Sequence, residues 1–243
     1  MHLLHSTAIC LEFSLIIPTF NEQDLIRDSI TQIFHNLKAS NITAELLVVD
    51  DSTDDTAKIL QDLSKKHTNL RVIHRTNSRG VGSAIRLGID SASGKYAVVF
   101  MSDAPHDIKY IPSILEKLNQ GYDLVHTSRF MKGSQIIGYP LTKKIANRSA
   151  NWCIRLAFFR FDLKDYTSLF KGFNVASIRR LNLEGNEFDV GCEISMKSIK
   201  KGLKIVEVPV SWKEREIGKS KLRLSKQGPN FFNRCMKVWL FYW

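Results

Sequence analysis

Runs of five or six Val, Ile, Leu and Phe recur along the first half of the chain. Three of them end in acidic residues: FSLIIPTFNE (13–22), ELLVVDDS (45–52) and YAVVFMSDAPHD (96–107). Unbroken apolar runs of this length, bounded by turn residues, predict strands buried on both faces. Between the first two runs the period lengthens. Leu25, Ile26, Ile30, Ile33, Phe34 and Leu37 share one face of a helix that Asn21 can cap and that reaches about Ala39. A helix from about Asp54 to Lys66, a short strand LRVIH (70–74), a helix over 80–93 and a strand over 95–101 come next. A helix near 109–119 then leads to the strand YDLVHTS (122–128). Regular alternation of this kind predicts an α/β fold, with parallel strands joined by right-handed crossovers. Beyond residue 140 the pattern changes. A long helix near 142–160, the stretch DYTSLFKGF (165–173), helical residues 190–201 and the strand LKIVEVPVSW (203–212) predict an added lobe on the same sheet.

In an open α/β sheet, ligands sit at the carboxyl ends of the strands. Glu22, Asp50, Asp51, Asp103 and Asp107 would collect there. Clustered carboxylates repel one another unless a cation or polar ligand joins them, so the arrangement suggests a divalent metal and a hydroxylated or phosphorylated ligand. Single acidic strand endings are commonly helix caps or turn formers; three in succession favour a site. The glycines of Arg79-Gly80-Val81-Gly82 precede a helix as a phosphate-binding turn would, but their spacing fits neither a P-loop nor GxGxxG. Close packing of a helix start on the sheet explains them better.

At 243 residues, 44% hydrophobic and 24% charged, the chain suits one well-buried domain. Cys10, Cys153, Cys192 and Cys235 show no metal-ligand spacing, so a reduced, cytoplasmic compartment is expected. The first residues, MHLLHSTAICLEF, lack a basic leader and a long apolar core, and no signal peptide is expected. No stretch approaches the roughly 20 apolar residues that span a bilayer. Charge alters this bland picture. Residues 1–130 hold 13 Lys/Arg against 15 Asp/Glu, whereas residues 131–243 hold 22 against 9. An acidic half able to hold a metal thus precedes a basic half suited to anionic partners. The end, NFFNRCMKVWLFYW, mixes aromatic and basic residues. We divide the chain into a single domain over 1–230 and an amphipathic segment over 231–243, either membrane-interfacial or packed on the protein's own core.

Seven stretches, in order, resemble the inverting family 2 glycosyltransferases of GT-A (Rossmann-like) fold, and among them the dolichyl-phosphate mannosyltransferases and bacterial polyprenyl-phosphate glycosyltransferases. They are IIPTFNE (16–22), VVDDSTDDT (48–56), NSRGVGSAIRLGI (77–89), MSDAPHDIKYIP (101–112), TSRFMKG (127–133), DYTSLFKGF (165–173) and EVPVSWKEREIGKSKL (207–222). The resemblance implies a donor nucleotide bound by Pro18, Thr19, Glu22, Val49 and Asp51, with Thr19 standing where the family usually has Tyr. It implies a divalent metal, Mg or Mn, on Asp103. The first Asp of the family's Asp-x-Asp element is missing here, Ser102 lies in its region, and Asp107 resembles a later acidic ligand. A helix cap is the alternative role for Asp107. Arg129 matches an arginine near the transferred phosphates. Arg215 and Lys221 match a basic pair on a loop closing over the donor diphosphate. Lys143, Lys144 and Arg148 lie where the family has basic residues near the acceptor phosphate. Asp165, Thr167 and Ser168 match an Asp-x-Thr-Ser-Gly-Phe-Arg motif in which Leu169 and Lys171 replace Gly and Arg. Asp165 would orient Arg129 or Arg215, and Glu193 would be structural.

The implied reaction passes a sugar, mannose or glucose, from a GDP- or UDP-linked donor to a polyprenyl phosphate at the cytoplasmic face of a membrane, with or without a membrane subunit. Asp103, Arg129 and Arg215 would be its catalytic residues. A lipid phosphate with a second pKa of about 6 is largely dianionic at neutral pH and needs no strong base. Two rival readings remain: a family 2 enzyme acting on a polysaccharide, protein or small-molecule hydroxyl with Asp107 as base, and an inactive binding protein on the same fold. No nucleic-acid module is visible.

Overall fold

The computed structural model describes residues 13–77, 80–102, 105–213 and 224–242. Among these, the strands are β1 (Phe13–Thr19), β2 (Glu45–Asp50), β3 (Leu70–His74), β4 (Tyr96–Val99), β5 (Leu124–Ser128), β6 (Ile136–Ile137), β7 (Lys171–Asn174), β8 (Ile205–Pro209) and β9 (Trp212–Lys213). The helices are α1 (Ile26–Ala39), α2 (Thr56–Ser64), α3 (Val81–Ser91), α4 (Ile111–Asn119), α5 (Leu141–Phe158), α6 (Val175–Arg179), α7 (Val190–Lys200) and α8 (Leu224–Phe241), with a 3₁₀ turn over Pro105–Tyr110.

Seven strands form one sheet in the order β3-β2-β1-β4-β7-β5-β8. β1 and β2 are buried along their whole lengths, as unbroken apolar runs should be. Successive residues of β1 feed opposite layers: Leu15 and Ile17 meet Ile26, Ile30 and Ile33 of α1, while Ile16 meets Ile85 and Ile89 of α3. Gly88 permits this second approach, because a Cβ there would collide with Ile16 Cγ2.

The sheet is mostly parallel, with one exception that the alternating pattern conceals. β7 runs antiparallel between β4 and β5, with Gly172 opposite both Val98 and Val125. Its sequence, Lys-Gly-Phe-Asn, has a charge and a glycine where a strand pattern needs side chains. Gly172 is required, since a Cβ would strike Ile114 Cγ2 of α4. Asn21 also departs from expectation. The first residue outside α1 is Leu25, while Asn21 has φ of 51° and its Oδ1 accepts from Thr53 N at 2.8 Å. It ties two loops together instead of capping a helix. Gly80 and Gly82 pack on the loop before α7 and not on the sheet: Gly82 N donates to Asn186 O at 2.8 Å, and a Cβ at Gly80 would meet that same oxygen.

α5, α7 and α8 form the added lobe. Ile154, Tyr166, Cys192, Met196 and Val238 make its core, with Phe231, Cys235 and Tyr242 packed against it. Cys192 Sγ and Cys235 Sγ, 43 residues apart in sequence, lie 3.9 Å from each other as free thiols. Arg234 of α8 pairs with Asp189 at 3.0 Å and Glu184 at 2.7 Å, and Lys237 pairs with Glu184 at 2.6 Å. The C-terminal residues singled out from the sequence therefore divide. Phe231 and Tyr242 turn to the core and Arg234 and Lys237 are engaged by carboxylates, while Phe232, Met236, Trp239, Leu240 and Phe241 are exposed. Trp243 lies outside the described residues. No helix among the described residues is long and apolar enough to cross a membrane.

Candidate active site

β1, β2, β4 and β5 are parallel, so their carboxyl ends share one edge. At the β1–β2 end, Thr19 and Asp50 are register partners, and Thr19 Oγ1 donates to Asp50 Oδ1 at 3.0 Å. Ser52 Oγ donates to the same oxygen at 2.5 Å, and His74 Nδ1 lies 2.8 Å from Oδ2. Asp51 is gripped on both oxygens by Arg75, whose Nε and Nη2 approach to 2.6 and 2.5 Å. Repulsion between these two carboxylates is thus relieved by the protein itself, and neither needs a metal. A two-pronged Arg–carboxylate pair with little solvent contact is among the stronger side-chain interactions. Pro18 and Val49, also register partners, are buried within the sheet; at a ligand edge they offer backbone. Glu22 is half-buried, and its N–H donates to Thr56 Oγ1 at 2.9 Å, which fixes the loop leading to α1.

Asp103 lies outside the described residues, as do Arg215 and Lys221. Asp107 stands in the 3₁₀ turn that follows β4, half-buried. It does not cap the next helix, because the residue preceding α4 is Tyr110 and makes no side-chain cap. Among the described residues no group of three or more His, Cys, Asp or Glu is arranged to hold a metal.

The second half of the edge is built around Arg129, the first residue after β5. Its Nε donates to Asp165 Oδ2 at 2.7 Å, its Nη2 to Asp165 Oδ1 at 2.9 Å and to Thr167 Oγ1 at 3.0 Å. Burial alone would push the Asp165 carboxyl up, yet Arg129, with Lys171 behind it, holds it below the usual range. Burial likewise works against the Arg129 charge, and Asp165 more than offsets it. The guanidinium is fixed and charged just past the end of β5. Phe130 provides a second surface: Arg129 Cζ lies 5.5 Å and Arg148 Cζ 4.9 Å from its ring centre. Arg148 is thereby drawn from α5 toward Arg129. Lys143 and Lys144 lie one turn earlier on α5, Lys144 exposed.

Several site residues escape a reading of the sequence. Arg75 neutralises Asp51 from 24 positions away. Phe130 gathers two arginines, and Asn147 of α5 donates to Thr167 Oγ1 at 2.8 Å, tying that helix to the Arg129 fork. Glu207 of β8 accepts the N–H groups of Lys164 and Asp165 at 2.7 and 2.8 Å. Phe130, inside TSRFMKG, and Glu207, which opens EVPVSWKEREIGKSKL, lay within stretches that pointed to phosphate; Arg75 and Asn147 did not. Glu193 has the structural role expected: it is fully buried, and it accepts from the backbone of Glu184 and Gly185 and pairs with Lys197 at 2.9 Å.

The chain is 35% identical over 218 residues to the dolichol-phosphate mannosyltransferase of Pyrococcus furiosus, covering 88% of this chain and 60% of that protein. It therefore spans about three fifths of that relative's length. To the polyprenol monophosphomannose synthase of Mycolicibacterium smegmatis it is 27% identical over 232 residues, 92% of this chain and 84% of that one. The fold resembles the crystal structure of glucosyl-3-phosphoglycerate synthase from Mycobacterium tuberculosis in complex with Mn²⁺, uridine diphosphate and glucosyl-3-phosphoglycerate. The TM-score is 0.66 at 18% identity, over 94% of this chain and 80% of that one. That likeness establishes the GT-A type of fold. The profile described as Glycosyl transferase family 2 matches residues 14–184, a span that holds both the β1–β2 end and the Arg129–Asp165 fork, and the chain belongs to that family.

Proposed function

We propose that this protein transfers a hexose, mannose or glucose, from a nucleoside-diphosphate donor to a polyprenyl phosphate, with inversion at the anomeric carbon. The observation that carries this reading is the Arg129–Asp165 fork with Arg148 drawn to the same Phe130 ring. Two guanidinium groups converging at a sheet edge suit phosphate oxygens, which arginine binds in two-pronged fashion. The mannosyltransferase and synthase to which the chain is similar carry dolichol phosphate and polyprenol in their names.

In this reading the β1–β2 end receives the donor nucleotide through Asp51, Glu22 and the backbone at Pro18, Thr19 and Val49. Arg129 and Arg148 hold the acceptor phosphate in line with the anomeric carbon. Because that phosphate is already a good nucleophile near neutral pH, the protein's task is placement and charge stabilisation. Arg215 and Lys221 would close over the donor diphosphate. The related fold has been solved with Mn²⁺ and uridine diphosphate. Asp50 and Asp51 are held by partners within the protein, and Asp103 and Asp107, in the stretch that resembles the family's metal element, are the carboxylates assigned to the ion in this reading. Carboxylate oxygens suit Mg²⁺ or Mn²⁺. An ion held there would neutralise charge on the departing diphosphate, an effect worth several kcal/mol.

The acceptor's lipid calls for a membrane-facing surface. α5 exposes Leu141, Ile145, Trp152 and Leu156, and α8 exposes Phe232, Met236, Trp239 and Leu240. Trp239 Nε1 donates to Ala157 O at 3.1 Å, joining the two helices. Lys144 and Arg148 border this face on α5. Apolar and aromatic residues beside cations suit the headgroup region of an anionic bilayer, where each basic residue gains about 1 kcal/mol. The protein would then work peripherally, at the cytoplasmic face.

Incubation with a panel of GDP- and UDP-sugars, Mn²⁺ or Mg²⁺ and polyprenyl phosphate tests the reading. A β-linked glycosyl phospholipid should form. Transfer to polysaccharide or protein hydroxyls alone would overturn it.

A further inference from the structure

The proposed chemistry leaves a buried set of charges behind the Arg129 fork unused. His126, within β5, stands opposite Lys171 on β7 and opposite Glu207 on β8, so the three side chains leave the same face of the sheet. Lys171 and His126 have no solvent-exposed surface. A buried ammonium is costly unless partners hold it. Lys171 Nζ donates to the Tyr166 carbonyl at 3.2 Å, an oxygen that Ser195 Oγ of α7 also reaches at 3.1 Å. One carboxylate oxygen of Glu207 takes the N–H groups of Lys164 and Asp165. Together these contacts hold the backbone of residues 164–166 from behind. From the front of that backbone, Asp165 grips Arg129.

We propose that Lys171 is a positioning residue for Arg129: its buried ammonium, acting with Glu207, sets the 164–166 backbone that aims the fork, and loss of its proton slackens the grip. The inference rests on Arg129 being the phosphate-binding group of the proposed transfer.

The groups facing Lys171 are Asp165 and Tyr166 from the connecting loop, Glu207 from β8, Cys192 from α7, His126 from β5 and Arg129 beyond it. Burial dominates and brings Lys171 down to about 8, against Asp165 and Glu207, which favour its proton. His126 is kept neutral by burial, with Lys171 adding to the effect. Burial pushes the Cys192 thiol up and the Glu207 carboxyl up. Lys171 is therefore the member of this set that changes charge at mildly alkaline pH. An arginine at this position, as in the motif this stretch resembles, would keep its charge throughout.

The test compares wild type, Lys171→Arg and Lys171→Met. Transfer is measured at about pH 7 and about pH 9, where roughly a tenth of a group titrating near 8 stays protonated. Wild-type kcat should fall about tenfold between the two, with little change in the nucleotide-sugar KM. The kcat ratio of Lys171→Arg should stay near one. An equal alkaline fall in both would overturn the proposal. Hydrogen exchange of a peptide covering residues 160–170, in the free protein, reads the same device without substrate. At about pH 9 wild type should exchange faster there than Lys171→Arg, and equal rates would overturn the positioning role whatever the transfer assay gives. Should the arginine variant fail to fold, Lys171→Met at about pH 7 must exchange faster than wild type at that pH; equality again overturns it. A wild type that transfers nothing yet shows the exchange difference would remove the proposed function and leave the buried device standing.

Discussion

Arg75 closes on both oxygens of Asp51, and its remaining Nη1 donates to Ser83 Oγ at 3.0 Å, which in turn donates to Gly80 O at 2.9 Å. The carboxylate at the end of β2 is thus joined to the glycine turn that opens α3. Groups in one network lose their effects together. Arg75→Ala and Asp51→Ala should each raise the donor KM, by factors within about threefold of each other, and the double variant should be little worse than either. Steady-state kinetics on the four proteins would show this. Fully additive losses would mean that Asp51 meets the donor independently of Arg75.

The Arg129–Asp165 fork makes a sharper demand. Asp165 is fully buried, so Asp165→Asn leaves a guanidinium with half its clamp. Breaking a buried pair costs about 3–5 kcal/mol when one partner remains uncompensated. With Arg129 partly exposed, we expect the lower end in denaturant titrations. We also expect kcat to fall by about 100-fold, the loss typical of removing one charge-stabilising group. A destabilised variant with unchanged kcat would make the fork merely structural.

On the metal, Asp103→Ala should lower transfer by about 100-fold or more, and chelation with EDTA should do the same to wild type until Mn²⁺ or Mg²⁺ is restored. Asp107→Ala should match that loss if Asp107 is a ligand and fall well short of it otherwise. Unchanged activity of Asp103→Ala would remove the assignment.

The sequence made the frame legible because apolar runs and helical periods are local signals. β1, β2 and β4 announce themselves in this way, and so does the amphipathic face of α1. β7 does not. It is four residues long, its Lys171 is a buried charge that patterning assigns to solvent, and its Gly172 is there to admit Ile114. The site divides likewise. Arg129 and Asp165 sit in short motifs, but Glu207, which accepts from the Asp165 N–H, and Asn147, which donates to Thr167, come from a distant strand and helix. The resemblance implies a donor role for Asp51, yet nothing near it in sequence indicates Arg75. The thiols of Cys192 and Cys235 meet only because α8 folds back on α7.

Lys171 also shapes stability. Burial lowers it from 10.5 unfolded to about 8 folded, so the native state binds fewer protons than the unfolded state between those values. The penalty of burying the charge is full below pH 8, shrinks as pH rises, and is gone above 10.5. Relative to Lys171→Met, wild type should gain up to roughly 3 kcal/mol across that window. Urea titrations at matched pH values would reveal it. A constant difference would mean that the lysine does not titrate in the folded protein.

α8 serves two surfaces, and substitution can separate them. Its inner face carries Val238 and Cys235, its Arg234 pairs with Asp189 and Glu184, and Tyr242, just after its end, donates its Oη to Leu181 O at 3.0 Å. Its outer face carries Phe232, Trp239 and Phe241. Deleting residues 230–243 should therefore lower both thermal stability and sedimentation with anionic liposomes. Phe232→Ser with Phe241→Ser touches the outer face alone. That double variant should keep the wild-type melting temperature within a few degrees, since exposed substitutions usually change stability by no more than about 0.5 kcal/mol. It should lose most of its liposome binding, because about 25 cal/mol per Å² of apolar area no longer enters the headgroup region. Unchanged binding in the double variant would assign the outer face no membrane role, and attachment would then fall to α5, with Ile145→Ser and Leu156→Ser as its decisive test.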